Sequence, residues 1–206
     1  MRFAVLLSLL LLPSAALADR GELYTLLEGG PSLLAVDDAL DGEARATPAA
    51  LGAQLLAYYG LSNTLHVGAA FGGVLRNDVG YMGKTYRTQD GSQPQGDFFQ
   101  NLTGISLAAV AAYRVDTGYD LAPVFRLELG AAYLRYSALQ FYPANVSLAL
   151  DVPTRSEFAP TARAVAGLEY RFASSYVASI GLSARRNFGA RAAWSVDLPV
   201  HFGLIW

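Results

Sequence analysis

The chain has no cysteine, a single lysine at Lys84, and only 16% charged residues among its 206. Without cysteine it cannot form disulfide bonds, hold a metal through thiolates or use a thiol nucleophile. Fifteen Lys and Arg face seventeen Asp and Glu, so there is no basic excess and we expect no nucleic-acid partner. We also expect no metal and no cofactor, because neither a ligand cluster nor a phosphate-binding glycine loop is found in the sequence.

Apolar residues, by contrast, make up 53% of the chain, which excludes a disordered protein. At the N-terminus, Arg2 precedes a short apolar stretch over 3–12 and a small-residue cleavage motif ends at Ala18. That stretch is too short to cross a bilayer as a helix. The sequence therefore predicts a signal peptide over residues 1–18 and an exported mature domain over 19–206.

Alternation of apolar with small or polar residues dominates the mature chain. In the last segment one parity is apolar throughout, and it comprises Trp194, Val196, Leu198, Val200, Phe202, Leu204 and Trp206. Successive side chains of a strand point to opposite faces, so this segment has one wholly apolar face. The same pattern predicts strands over 22–36, 49–59, 64–76, 103–115, 122–136, 158–172, 176–186 and 194–206. Pro31, after two glycines, leaves open whether the first strand is continuous.

Strand length and loop order identify the architecture. The segments run about 10–15 residues, whereas strands of globular proteins usually have about 5–6 and a tilted membrane-crossing strand needs about 9–11. Short turns at 61–63, 116–120 and 173–175 alternate with longer polar connections at 37–46, 77–101 and 138–157. This order is typical of outer-membrane barrels. The prediction is an all-β fold: a closed, antiparallel, up-and-down barrel of eight transmembrane strands.

Aromatic residues occur near both ends of the predicted strands. Trp194 and Trp206 share a face twelve residues apart. At about 3.3 Å per residue and roughly 40° of tilt, they lie ~30 Å apart along the membrane normal, enough to flank an apolar band about 25 Å tall. We predict an interface girdle that includes Tyr59, Tyr113, Tyr170, Trp194 and Trp206, with Tyr58 beside Tyr59.

Charged residues occupy the opposite, lumen-facing parity. Four are acidic and four basic, namely Glu28, Arg114, Arg126, Glu128, Arg163, Glu169, Arg171 and Asp197. Buried charges are tolerable only when paired, so we predict a salt-bridge network that plugs the lumen. We expect Arg126 and Glu128, near the start of one strand, to pair with Glu169 and Arg171 near the end of the next. The alternative is a gated polar path for ions or small solutes.

The chain ends in the alternating residues Val200, Phe202, Leu204 and Trp206, which resemble the assembly signal of bacterial outer-membrane barrels. With its leader and eight predicted strands, the mature chain is similar to the small eight-stranded barrel superfamily. That group includes the transmembrane domain of outer membrane protein A and the proteins called X and W. The resemblance implies location in the bacterial outer membrane and insertion by the barrel-assembly machinery with periplasmic chaperones. We further expect contact with outer-membrane lipid and lipopolysaccharide, and a monomer.

Three functions remain open for such a barrel. The first is a structural or surface-interaction role, for which the long segment 77–101 is the candidate surface. The second is a narrow channel for small or apolar solutes, and the third is a lipid A-modifying enzyme. We expect no enzyme, because His66 and His201 both fall on lumen parity without a suitably spaced serine. Candidate lipopolysaccharide contacts are Arg185, Arg186 and Arg191, with Arg135 on outward parity.

Overall fold

The structure, a computed structural model, describes residues 21–36, 47–85, 91–142, 153–172, 175–190 and 193–206. The predicted signal peptide over 1–18 lies outside these residues. Within them, no helix has the length and apolarity needed to span a membrane.

Every regular element in the described part of the chain is a β-strand. The strands are β1 (Leu23–Val36), β2 (Thr47–Gly60), β3 (Leu65–Thr85), β4 (Gln95–Arg114), β5 (Leu121–Tyr136), β6 (Gln140–Tyr142), β7 (Arg155–Phe172), β8 (Tyr176–Asn187), β9 (Ala193–Asp197) and β10 (Val200–Ile205).

Consecutive wall strands pair antiparallel around a ring. β1 to β5 pair in chain order, β5 pairs with β7, and β7 pairs with β8. β9 and β10 are two pieces of the last wall strand, and each pairs with β8 on one side and with β1 on the other. The predicted all-β, antiparallel, up-and-down barrel with eight wall strands is therefore confirmed.

The ring turns its apolar faces outward. In β5 the outward side chains Phe125, Leu127 and Leu129 are 52%, 48% and 54% exposed, while the intervening Arg126 and Glu128 are buried in the lumen. A soluble barrel would have the reverse arrangement, since water favours charged over apolar surface. An apolar exterior around a polar interior is the arrangement of a barrel whose solvent is hydrocarbon.

The first and last wall strands differ in continuity. β1 is unbroken through Pro31, with a register shift after Ser32. The last wall strand, predicted as continuous over 194–206, is instead divided at Leu198 and Pro199. Proline has no N–H to give to the sheet. At the same level, a Cβ on Gly30 would clash with the carbonyl oxygen of Leu198, so only glycine permits this approach of the two backbones.

The predicted loop at 77–101 is largely wrong, because β3 and β4 continue through most of it as a paired hairpin. Tyr81 lies opposite Phe98, and Thr85 lies opposite Gln95. Above the hydrocarbon a strand needs no apolar face, so a polar sequence fits either a loop or a projecting strand. The alternation of apolar and polar residues that predicted the other strands is absent from this part of β3 and β4.

The predicted loop at 138–157 also contains strand. β6 pairs with β4 at Asp97, Phe98 and Phe99, and so continues the line of β5 after a short break. β7 begins at Arg155, earlier than predicted. We call the parts of β3 and β4 beyond the lipid-facing belt, together with β6, the projecting sheet.

Candidate functional site

Four residues of the predicted charged set meet at the centre of the lumen. Glu28 on β1 pairs with Arg163 on β7, with 2.5 Å between Oε1 and Nη1, and also with Arg126 on β5. Glu128 accepts hydrogen bonds from Arg126 Nε at 2.8 Å and from Arg163 Nη1 at 3.3 Å. Each carboxylate therefore has two arginine partners, which is the condition under which buried charge is tolerated.

Three more side chains extend these contacts across the lumen. Gln54 Nε2 donates to Glu128 Oε2 at 2.9 Å, and Gln54 Oε1 accepts from Arg163 Nη1 at 3.0 Å. Ser183 Oγ accepts from Arg163 Nε at 3.1 Å and donates to Asp197 Oδ2 at 2.8 Å. Asp197 Oδ2 also lies 3.7 Å from Arg163 Nε. We call this set the central network: Glu28, Gln54, Arg126, Glu128, Arg163, Ser183 and Asp197.

The remaining predicted charges form a separate group near the turns, which we call the turn-end cluster. Glu169 Oε1 lies 3.2 Å from Arg114 Nε and 3.6 Å from Arg171 Nε. Arg171 Nη1 lies 3.2 Å from Glu22 Oε2, and Nη2 donates to the hydroxyl of Tyr24. Two carboxylates and two guanidinium groups thus neutralise each other there.

The expected pairing of Arg126 and Glu128 with Glu169 and Arg171 is wrong. The register of β5 and β7 puts Arg163 opposite Glu128, and Ala122 opposite Glu169. Arg163 and Glu169 are six residues apart on β7, about 20 Å at ~3.3 Å per residue. Odd or even position along a strand determines which face of the sheet a residue occupies. Its depth in the barrel depends on the pairing register of the strands, which could not be deduced from the predicted strand ends.

Aromatic side chains fill the turn end of the lumen. The rings of Tyr24 and Tyr58 stack with centroids 4.9 Å apart, and His66 meets the Tyr24 ring edge-on, also at 4.9 Å. Tyr58 is only 3% exposed, so its expected place in the interface girdle at the turn end is wrong. Its neighbour Tyr59 takes the outward position, because adjacent residues of a strand face opposite sides.

Apolar side chains fill the loop end. They form one buried cluster, the loop-end cluster: Tyr81, Phe98, Leu102, Ala132, Leu134, Tyr136, Leu139, Ala159 and Ala193, with Phe141 against it. The rings of Phe98 and Phe141 lie 5.1 Å apart. The base of the projecting sheet contributes to this cluster, so the sheet helps to close the barrel mouth.

Arg185 was missed as a lumen residue. Its Nη2 donates to Gln54 Oε1 at 3.0 Å, so the predicted lipopolysaccharide contact is wrong for this side chain. The signal was its parity: Ser183, two positions earlier, faces the lumen, and alternation along β8 puts Arg185 on the same side. Arg186 is exposed on the outer face, with its guanidinium carbon 5.6 Å from the Phe188 ring centroid. Arg191 lies outside the described residues.

His201 has a serine and a carboxylate beside it but not in a catalytic order. Ser179 Oγ lies 2.9 Å and Glu28 Oε2 lies 3.7 Å from the same ring nitrogen, Nδ1. A nucleophile–base–acid relay uses the two nitrogens for the two partners. Among the described residues no group of three or more His, Asp or Glu side chains is arranged to hold a metal ion.

The predicted girdle residues lie on the outer surface. At the turn end, Tyr59, Tyr113, Tyr170 and Trp206 are 48%, 49%, 49% and 65% exposed, and Trp194 at the loop end is 45% exposed. Of the predicted assembly signal, Val200 and Phe202 are also outward and exposed, while Leu204 is half-buried.

Comparison with known proteins identifies the fold. No protein-family model and no curated protein sequence matches the chain. Among solved structures, Neisserial surface protein A superposes with a TM-score of 0.55 at 13% identity, over 90% of this chain and 99% of that one. The attachment invasion locus protein Ail of Yersinia pestis gives 0.50 at 13% identity, over 91% and 99%. The chain therefore has the fold of the small eight-stranded outer-membrane β-barrels.

Proposed function

We propose that the chain is an integral protein of the bacterial outer membrane with a structural or surface-interaction role and no catalytic activity. The observation that carries the proposal is the projecting sheet. β3 is 21 residues long and β4 is 20, whereas about 9–11 residues suffice to cross a bilayer. Roughly half of each strand is therefore available outside the membrane, on a rigid support of the kind that commonly carries binding surfaces.

The tip of the projecting sheet supports the same role. The hairpin tip carries the exposed polar residues Ser92, Gln93 and Gln95, which suit a solvated contact surface.

A shortened hairpin tests the surface role. Because Tyr81 and Phe98 lie directly opposite each other, replacing residues 82–97 by Asn-Gly closes the hairpin below its tip. We expect this variant to reach the outer membrane and fold like the wild type, but to lose any adherence or autoaggregation that the wild type confers on expressing cells. Equal adherence of the two, with equal surface amounts, would contradict the role.

The filled lumen argues against the narrow channel. Between the aromatic turn end and the loop-end cluster, Arg126 and Arg163 cross the lumen in ion pairs to Glu28 and Glu128. We expect no discrete conductance steps in planar bilayers from the wild type or from Arg126→Ala. Steps from the wild type would favour the channel instead.

The lipid A-modifying enzyme has less support. His201 has both of its polar neighbours on one nitrogen, and His66 packs between aromatic rings. Mass spectrometry of lipid A from cells with and without the protein tests this directly. We expect identical spectra, and a new lipid A species dependent on His201 would overturn the proposal.

Two outward arginines support contact with lipopolysaccharide. Arg135 and Arg186 are exposed at the loop end of β5 and β8, where the outward strands also carry the tilted ring pair of Tyr133 and Phe158. Long cationic side chains at this level can extend to lipid phosphates. In native-lipid extracts, we expect the Arg135→Gln/Arg186→Gln variant to retain less lipopolysaccharide than the wild type, and equal retention would count against this contact.

Assembly is the last part of the proposal. Val200, Phe202 and Trp206 face outward on the last wall strand. Periplasmic chaperones would deliver the unfolded chain, and the barrel-assembly machinery would then bind these side chains. We expect Phe202→Ser/Trp206→Ser to reduce the assembled fraction in cells, without preventing refolding of the purified, monomeric chain in detergent.

A further inference from the structure

The lumen contains a cavity of about 60 Å³ between the central network and the loop-end cluster. This is room for roughly four to six water molecules at ~10–15 Å³ each. Gly30, Gly52 and Gly104 line one side with bare backbone, and Leu102 and Leu134 lie towards the loop end. The cavity therefore has one side without polar side chains, made by glycine backbone and leucine.

The other side of the cavity is polar and incompletely paired. Arg185, Asn187 and Asp197 all line it. Among the described residues, the only hydrogen bond from Arg185 goes to Gln54. No carboxylate of the described residues lies within 4.0 Å of the Arg185 guanidinium group. Asn187 is 7% exposed, and its Oδ1 is buried with no hydrogen-bond partner. Buried groups of this kind are normally satisfied by protein, water or ligand.

The charges around the cavity select the ligand. The central network holds three carboxylates, Glu28, Glu128 and Asp197, but only two arginines, so Arg185 is the third cation that balances it. Arg185 and Asp197 carry opposite charges, form no ion pair with each other, and both line the cavity. A bound anion or cation would leave a net charge in a low-dielectric lumen, whereas a solute that carries both charges would not.

We propose that this cavity binds a small zwitterionic solute of the amino-acid type, with its carboxylate on Arg185 and its ammonium group towards Asp197 and the unpartnered Asn187 Oδ1. Bidentate contact with carboxylate is the geometry that guanidinium favours. About five heavy atoms fit the space, which is the size of glycine. The central network closes the lumen on one side of the cavity and the loop-end cluster lies on the other, so the site is an internal pocket and not a path through the barrel.

Glycine is the probe that tests the proposal. The mature chain, folded in detergent micelles, is titrated with glycine while ¹H–¹⁵N spectra follow backbone amides of β8 and β9 and the arginine Nε–H signals. We expect saturable shifts at Asn187, Ser195 and Asp197, and affinity at least tenfold weaker in Arg185→Gln. Arg186→Gln is the matched control, because it removes the same charge one residue away on the outer face, and its affinity should equal that of the wild type.

A second variant and a second solute keep the result decisive. Gly52→Val fills the cavity without removing any polar group, and the backbone has room for its Cβ, whose nearest neighbour is the Gly73 carbonyl oxygen at 3.8 Å. It too should weaken glycine binding at least tenfold. Trimethylglycine has no N–H donors and should give no saturable shift. No saturable shift with glycine in the wild type, or equal shifts in Arg185→Gln and Arg186→Gln, would overturn the proposal.

Discussion

The effect of a charged residue in this barrel depends on the face of the strand that it occupies. Arg185 and Arg186 are neighbours with the same chemistry, yet one donates to Gln54 inside the lumen and the other lies over the Phe188 ring on the outside. Inside, water is scarce and a guanidinium must be paired by protein or ligand. Outside, near the interface, its long stem lies on apolar surface while its head reaches water or phosphate.

Removing a central arginine should be costly. Arg163→Ala takes away partners of Glu28, Glu128 and Gln54 at once and leaves two carboxylates dependent on Arg126. Breaking one side of a buried pair costs about 3–5 kcal/mol, so we expect the free energy of unfolding to fall by that amount. Urea titration in lipid vesicles, followed by tryptophan fluorescence, measures it.

Arg155→Ala is the control for this loss. The side chain of Arg155 is 45% exposed and its partner is Glu157 at 3.4 Å. An exposed pair of this kind contributes about 0–1 kcal/mol. If both variants lost the same small amount, the central network would not be a source of stability.

Glycine at position 68 should resist substitution, because β2 lies against it. A Cβ there would stand 2.6 Å from the Cβ of Tyr58 and would also meet the Ala57 carbonyl. We expect Gly68→Ala to destabilise the barrel by about 1–3 kcal/mol through overpacking. Gly29→Ala, whose new Cβ has nothing closer than 3.5 Å, should unfold at nearly the wild-type urea concentration. Equal midpoints for the two variants would contradict this account.

At the scale of one strand, the cost of a charge on the outer face should depend on depth. On β5, Leu127 is outward near the middle of the apolar belt, and Tyr133 is outward near its loop end. We expect Leu127→Arg to cost about 2–4 kcal/mol and Tyr133→Arg about 0–1 kcal/mol, since arginine near the interface can reach water.

Unfolding of both variants in the same vesicles checks this expectation. The native Arg135, two residues beyond Tyr133 on the same face, already occupies the tolerant level. If Leu127→Arg were as stable as Tyr133→Arg, the exposed face of β5 would not lie in hydrocarbon.

The element scale also separates what sequence could predict from what it could not. Alternation placed Phe125 and Leu127 outside and Arg126 inside, because hydrocarbon and a closed lumen impose opposite requirements on adjacent residues. It failed for the projecting sheet, where Tyr81 pairs with Phe98 beyond the hydrocarbon and the sequence carries no alternation that would mark a strand. It also missed the division at Pro199, since one proline leaves the parity of its neighbours unchanged.

Depth was the other property that sequence did not supply. Parity assigned Glu169 and Arg126 to the lumen, but their partners depend on the register of β5 and β7 and on which strands meet across the interior. Glu28, for example, binds residues 98 and 135 positions away along the chain. Such contacts follow only from the closed ring of strands.

At the scale of the whole molecule, each layer of lumen charge sums to zero. The central network with Arg185 has three carboxylates and three guanidinium groups, contributed by β1, β5, β7, β8 and β9. The turn-end cluster has two of each. No single hairpin contains a balanced layer, so the polar interior forms only when the ring closes.

Folding should therefore be cooperative and should require an amphiphile. The outer belt exposes large apolar side chains such as Leu107 at 62%, Ile180 at 59% and Leu129 at 54%, which water would not tolerate over so wide a surface. We expect the mature chain, made without residues 1–18 and diluted from urea, to aggregate in plain buffer. With detergent micelles or lipid vesicles present it should gain β-sheet circular dichroism and run at a shifted, heat-sensitive position in SDS gels. A folded, monomeric protein in plain buffer would mean that the apolar faces pack against protein and not lipid, which would contradict the outward apolar face of the wall strands.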